Sequence, residues 1–129
     1  ARGGYVLKDP EGGAPRAILL ATGSEVSLCL DAQKLLAERG IPVRVVSLPS
    51  WELFAAQPAS YREEVLPTAI RARLAVEAAS PFGWHRWVGD EGEILGIEGF
   101  GASAPAKDLA KHFGFTAEGV AARIARKIG

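Results

Sequence analysis

Apolar residues run unbroken from Ala17 to Ala21 and almost unbroken from Val43 to Leu48, the pattern of strands covered on both faces of a parallel sheet. Between these runs, Ser27, Asp31, Lys34 and Glu38 recur at helical spacing. Val26, Leu28, Cys29, Leu30, Leu35 and Leu36 fill the remaining positions, which predicts a helix buried over much of its circumference. Arg39 in the last turn, Gly40 after it and Pro42 beyond give that helix a stop. Strand, turn, helix and strand together occupy roughly thirty residues, the length of a βαβ unit.

The same reading continues along the chain. Tyr5 to Lys8 has strand character and ends at the turn-rich loop Asp9 to Pro15. Ser50 and Ser60 can cap short helices over Trp51 to Ala56 and Tyr61 to Val65, the second with a Ser60/Glu63 capping box. Ile70, Ala72, Leu74 and Val76 alternate with Arg71, Arg73, Ala75 and Glu77, predicting a further strand. A turn-rich aromatic segment from Ser80 to Val88 follows, then the turn Gly89 to Gly92 and a short strand from Ile94 to Ile97. Ser103 and Pro105 open a helix that ends at Gly114, and Thr116 caps another whose Val120, Ile124 and Ile128 face inward. Strands alternating with helices predict the α/β class, with helices on both faces of a sheet. Such sheets bind ligands at the carboxyl ends of their strands.

The 129 residues suit a single domain over 1–129, with 1–16 as a linker plus the first strand. Fifteen basic residues balance fifteen acidic ones, so no global field draws in nucleic acid or a membrane surface, and neither is an expected partner. A 48% hydrophobic, 23% charged composition without a membrane span or signal peptide leads us to expect a cytoplasmic globular protein. Cys29 is the only cysteine, which excludes an internal disulfide and a thiol metal cluster. In its apolar helix it reads as an inert core thiol. Methionine is absent even at the first position, and Gly3-Gly4 ahead of Tyr5 looks like a flexible linker. We therefore expect a piece of a longer polypeptide. The lack of methionine and the excess of arginine over lysine fit a thermophile or a GC-rich genome.

Chemistry-bearing candidates are few. Thr22, Gly23 and Ser24 lie where a strand feeds a helix N-terminus, a place that can hold an anion. Thr22 and Glu25 also form a capping box that would satisfy the same donors. Phe82, Trp84, His85 and Trp87, with Arg86 among them, have the composition of a protein interface or a packed core. A substrate contact or acid–base work by His85 are the alternatives. Glu77, at the end of a strand, could orient a ligand or metal or serve as a structural carboxylate, and His112 reads as a helix-dipole partner. Neither GxGxxG nor GxxxxGK[ST] is present. No catalytic, cofactor-binding or metal-binding residue is predicted in this chain.

Six segments in order resemble one family. Gly3 to Asp9, Ile18 to Val26, Val43 to Ser50, Tyr61 to Pro67, Arg73 to Ala78, and Phe100-Gly-Ala-Ser-Ala-Pro105 through Phe113-Gly-Phe-Thr116 are similar to the carboxyl-terminal domain of transketolases. The resemblance covers nearly the whole chain. It implies a three-layer αβα domain with a five-stranded mixed sheet and one antiparallel edge strand, for which Tyr5 to Lys8 is the candidate. It also implies a homodimeric parent enzyme of the pentose phosphate pathway that uses thiamine diphosphate and Mg or Ca. That enzyme moves a two-carbon ketol unit from a ketose phosphate to an aldose phosphate, the cofactor supplying the carbanion chemistry. In the family that site belongs to the upstream domains. Gly89-Asp-Glu-Gly92 resembles the Gly-Asp-Gly opening of a thiamine diphosphate site, but a glutamate is inserted and the chain contains no asparagine, so a surface turn is expected. The resemblance thus implies a docking module, inactive alone, whose partners are the upstream domains of its own polypeptide and a second subunit. Phe82 to Trp87 is the segment expected to meet them. The same fold on a deoxyxylulose phosphate synthase or a pyruvate dehydrogenase beta subunit is an alternative. A free-standing small-anion or nucleotide regulator using Thr22 to Ser24 is another.

Overall fold

The computed structural model describes residues 2–11, 13–23, 25–77, 83–96 and 116–128, without the side chains of His85 and Gly96. The elements run β1 (Tyr5–Lys8), β2 (Ala17–Ala21), α1 (Glu25–Glu38), β3 (Val43–Ser47), α2 (Trp51–Ala55), α3 (Ala59–Val65), β4 (Arg73–Glu77), α4 (His85–Val88), β5 (Glu93–Gly96) and α5 (Ala117–Ile128). The five strands form one sheet in the order β1-β3-β2-β4-β5. β2, β3, β4 and β5 are parallel, and β1 is the antiparallel edge strand that the resemblance implied. The helix expected between Ser103 and Gly114, the end of the strand at Ile97, and His112 lie outside the described residues.

The central strands are buried on both faces because their side chains alternate between two cores. Leu19, Val45, Leu74, Val76 and Leu95 pack with Cys29, Ala32 and Leu36 of α1 and Val120, Ala121 and Ile124 of α5. Ile18, Leu20, Val46 and Ala75 face the other way, toward Phe54, Val65, Trp84, Trp87 and Val88. The result is a three-layer αβα arrangement. Each fully buried Leu, Ile or Val contributes about 1.5–3 kcal/mol relative to exposure, so a sheet with two apolar faces is stable only when helices cover both.

Local signals account for most boundaries. Ser27, Asp31, Lys34 and Glu38 are all exposed on α1. That helix ends in a Schellman motif, with Gly40 at φ +75°, its N–H on the Ala37 carbonyl and the Ile41 N–H on the Leu36 carbonyl. Ser50 Oγ accepts from the Leu53 N–H at 3.3 Å, and Thr116 Oγ1 from the Gly119 N–H at 3.0 Å, as their capping roles predict.

Four local expectations are corrected. α3 starts at Ala59 with Pro58 as its cap residue and no side-chain cap bond, so the Ser60/Glu63 box does not form. Glu63 instead accepts from the backbone N–H and hydroxyl of Thr68 beyond the helix's other end, at 2.8 and 3.2 Å. β4 begins at Arg73 rather than Ile70, because Arg71 and Ala72 precede the stretch paired with β2. α1 begins at Glu25, which leaves Thr22 short of the cap position. The aromatic segment also contains a short helix, α4, where a turn was expected: the N–H groups of Trp87 and Val88 both donate to the Trp84 carbonyl.

Candidate functional site

The connection after β2 leads toward β3 on one side of the sheet, while the connection after β4 leads toward β5 on the other. The gap between the carboxyl ends of β2 and β4 is therefore the topological switch point, where open α/β sheets bind ligands. Thr22 follows β2 and Glu77 ends β4. The Thr22 hydroxyl donates to Glu77 Oε2 at 2.8 Å, bridging that gap. Glu77 thus takes the structural part of its two readings, and the hydroxyl that was a candidate anion donor points its proton at a carboxylate. Gly23, exposed at φ +56°, turns the chain into α1, and its carbonyl accepts from the Val26 N–H at 3.3 Å. Ser24 lies outside the described residues. The turn from Thr22 to Glu25 contains no lysine or arginine, so the cationic side chain that favours a bound phosphate does not come from the turn itself.

The aromatic candidates occupy a different place. Trp84 is fully buried and Trp87 nearly so, both in the core beneath α2 and α3. Trp51 meets Trp84 edge-on at 4.9 Å, and Phe54 lies 5.3 Å from Trp87 and 6.1 Å from Tyr61. Gly83, at φ +90°, is required here, since a Cβ would come within 2.8 Å of the Trp51 ring. Of the two readings of these residues, packed core and interface, Trp84 and Trp87 therefore follow the first: this chain covers their rings itself. Phe82 and the His85 side chain lie outside the described residues. Arg86 stacks over the outer face of Trp87 at 4.6 Å. The indole N–H groups of Trp84 and Trp87 are buried with no hydrogen-bond acceptor among the described residues.

Two polar side chains escaped the sequence reading. Arg73 donates to the carbonyls of Leu66, Pro67, Ile70 and Trp87 at 2.7–3.2 Å, tying the ends of α3 and α4 to the start of β4. Burial lowers its pKa, with Glu63 partly offsetting that. Gln33 is almost fully buried and its amide donates to the carbonyls of Lys8 and Val43 at 3.2 and 2.9 Å. The signal for Gln33 was present in its position, since it shares the buried stripe with Cys29 and Leu36 at i+4 and i−3. A polar residue on that stripe has to find a partner. It forms the floor of a cleft of about 490 Å³ between the end of β1 and the last turn of α1, with Lys8, Asp9, Lys34, Glu38 and Ile41 around it.

No three His, Cys, Asp or Glu side chains gather to hold a metal ion among the described residues. Asp90 and Glu91 are exposed in a turn closed by the Gly92 N–H on the Gly89 carbonyl, and Glu91 pairs with Arg71 at 3.0 Å. Two exposed carboxylates, one neutralised by a cation, do not fit a metal and diphosphate site. Cys29 is buried, and its pKa is pushed up to about 12 by burial and by the nearby charge of Glu25, so it is no nucleophile at neutral pH. No helix among the described residues is long and apolar enough to cross a membrane.

What this arrangement does chemically is tie elements together. The family model described as the Transketolase-like TK C-terminal domain matches residues 3–116. The transketolase of Geobacillus stearothermophilus is 52% identical over 128 residues, covering 99% of this chain and 19% of that protein. Transketolase 2 of Escherichia coli K12 is 53% identical over 129 residues, covering 100% of this chain and 19% of that protein. A solved transketolase from Pichia stipitis, in complex with sedoheptulose-7-phosphate, superimposes with a TM-score of 0.85 at 42% identity, covering 98% of this chain and 18% of that one. The chain thus spans about a fifth of the length of the curated relatives it matches. On sequence and fold together, the chain belongs to the transketolase family, as its carboxyl-terminal domain.

Proposed function

We propose that this chain is the scaffold domain of a longer, thiamine diphosphate-dependent transketolase. That enzyme transfers a two-carbon ketol unit between a ketose phosphate and an aldose phosphate, works in the cytoplasm as a homodimer, and carries its cofactor and divalent metal on the domains that precede this one. The observation that carries the reading is the Thr22–Glu77 bridge. The crevice in which a sheet of this topology would take a ligand is stitched across by two of the chain's own side chains.

Supporting it, this chain is 52 and 53% identical to two transketolases over nearly its full length, and one neighbour is named as a complex with a sugar phosphate. A sugar phosphate needs cationic or N–H donors to hold it. The switch-point turn, Thr22 to Glu25, contains no lysine or arginine. Thr22 and Glu77 hold β2 and β4 in register, Arg73 and Gln33 lock the helices and edge strand onto the sheet, and none of them has a reacting group to move.

The test is direct. The full polypeptide, with thiamine diphosphate and Mg²⁺, is expected to transfer ketol units from a ketose phosphate to an aldose phosphate. Residues 1–129 alone are expected to give neither turnover nor calorimetric binding of the cofactor. Cofactor binding or turnover by the 129-residue chain would sink the reading.

A further inference from the structure

β2 and β3 run parallel, with Ala17 beside Val43 at one end and Ala21 beside Ser47 at the other. The Thr22–Glu77 bridge lies beyond the second of these ends. At the first, a cleft of about 490 Å³ opens between the end of β1, the last turn of α1 and the start of β3. That volume falls within the range of small-molecule pockets, roughly 300–1,000 Å³. Its walls are tied in place. The Schellman turn holds the Gly40 and Ile41 N–H groups, the Arg16 N–H donates to the Pro42 carbonyl at 2.8 Å, and Arg44 fastens Asp9 at 2.6 Å.

Gln33, only 5% exposed, forms the floor. Its amide nitrogen donates to the Lys8 and Val43 carbonyls at 3.2 and 2.9 Å. Both partners are acceptors, so the nitrogen has to face them, both of its N–H groups are spent, and the amide carbonyl turns away. No donor among the described residues meets that carbonyl. Nor is it sealed in the core, since the buried side-chain polar atoms without a partner among the described residues are the indole nitrogens of Trp84 and Trp87. An oriented acceptor with lone pairs to spare is therefore reached from the cleft that Gln33 lines.

The surroundings select the ligand. Pro10, Ala37, Ile41 and Pro42 make the walls largely apolar. Around the rim, Lys8 and Lys34 offset Glu11 and Glu38, and Asp9 is neutralised by Arg44. A rim without net charge gives no preference to a phosphate or a metal ion. A floor that accepts without donating favours a ligand that donates without accepting. Water meets a lone acceptor as well, but it makes no use of the apolar walls beside it. We propose that this cleft binds a small uncharged planar heterocycle whose polar edge is a single N–H, the indole class, with the ring against the apolar walls and the N–H on Gln33 Oε1. The site rests on the cleft alone and takes nothing from the scaffold reading.

The test follows indole on the full polypeptide by ligand-observed saturation-transfer NMR. Benzofuran, in which a ring oxygen replaces the N–H, is its counterpart of equal shape without a donor. Ala37→Trp fills the cleft from an exposed position, and Glu38→Trp, also exposed, repeats the block from the rim should the first variant not fold. The expected result is indole binding at about millimolar concentration, benzofuran binding about five- to tenfold more weakly, and loss of the indole signal in either variant. Equal binding of the two compounds would make the cleft a plain apolar crevice in which Gln33 selects nothing, and would overturn the proposal. It is overturned equally by an indole signal that survives both variants, which puts binding elsewhere, and by no signal at all, which leaves water as the occupant. Ketol transfer by the same preparation is measured alongside, and its absence would sink the catalytic reading without touching this one.

Discussion

Thr22 and Glu77, 55 residues apart in sequence, share a 2.8 Å hydrogen bond that closes the gap between the carboxyl ends of β2 and β4. A hydrogen bond to a charged acceptor is worth about 1.5–3 kcal/mol, and this one is half-buried. Thr22→Val keeps the shape of the side chain and removes the donor. It is expected to lower the unfolding free energy of the chain by roughly 1–2 kcal/mol in urea titrations. No change would mean that the bond contributes nothing to holding the strands together.

Arg73 offers a sharper case, because its four acceptors are all carbonyls fixed in the backbone. A lysine there has one point of charge and three donors on a flexible stem and cannot span the same fork. Arg73→Lys is expected to cost about 2 kcal/mol. Tryptophan fluorescence is expected to shift as well, since the guanidinium anchors the Trp87 carbonyl. A lysine variant as stable as the parent would show the carbonyls to be satisfied otherwise.

Trp84→Ala distinguishes core from interface. A fully buried ring removed from a packed core costs about 3–5 kcal/mol, whereas a ring that served another protein would leave the chain's own melting unchanged. Trp84→Phe is expected to be far milder, within about 1 kcal/mol of the parent, because it also removes a buried N–H that has no acceptor among the described residues. Thermal melts of the two variants test both statements together.

Gly4 and Gly23 set packing against backbone conformation. A Cβ at Gly4 would collide with Leu48 Cδ2 and come within 2.8 Å of Phe54, while Gly23, at φ +56°, has nothing within 4 Å. Gly4→Ala is expected to cost about 2–3 kcal/mol from overpacking, and Gly23→Ala about 1 kcal/mol from strain alone. The reverse order in chemical denaturation would contradict the packing at the chain entrance.

Cys29 makes the pH dependence predictable in sign. Its folded pKa is raised from 9.0 to about 12 by burial first and Glu25 second, so above pH 9 the unfolded chain loses the thiol proton while the folded chain keeps it. The stabilisation from this thiol is complete below pH 9 and is lost as pH rises toward 12, with a limiting slope of roughly 1.4 kcal/mol per pH unit. Cys29→Ala is expected to flatten that part of the stability curve, measured by urea unfolding at successive pH values. An unchanged slope would remove Cys29 as its cause.

Legibility followed distance along the chain. The apolar runs of β2 and β3, the four exposed positions of α1, the Gly40 stop and the Ser50 and Thr116 caps were all readable, because each depends on backbone geometry within a few residues. The ordered family segments also carried the antiparallel edge strand, which no local pattern could. Glu63 was misread because its capping role depends on where the helix starts, and Pro58 moved that start by a residue or two. The aromatic segment left core and interface open because hydrophobic aromatics suit both, and only the packing of α2 and α3 over Trp84 and Trp87 separates them.

The sequence by itself determined the alternation of strands and helices, the buried central strands and the family to which they belong, since periodicity and residue order are properties of the chain alone. The tertiary structure decided which polar groups meet. Thr22 finds Glu77 because β4 lies beside β2, and Gln33 finds Lys8 and Val43 because β1 closes on β3 beneath α1. Strand order brings residues 10, 25 and 55 positions apart to within 2.8–3.2 Å of one another, and it is fixed by how the two apolar faces are covered rather than by any pattern local to those residues.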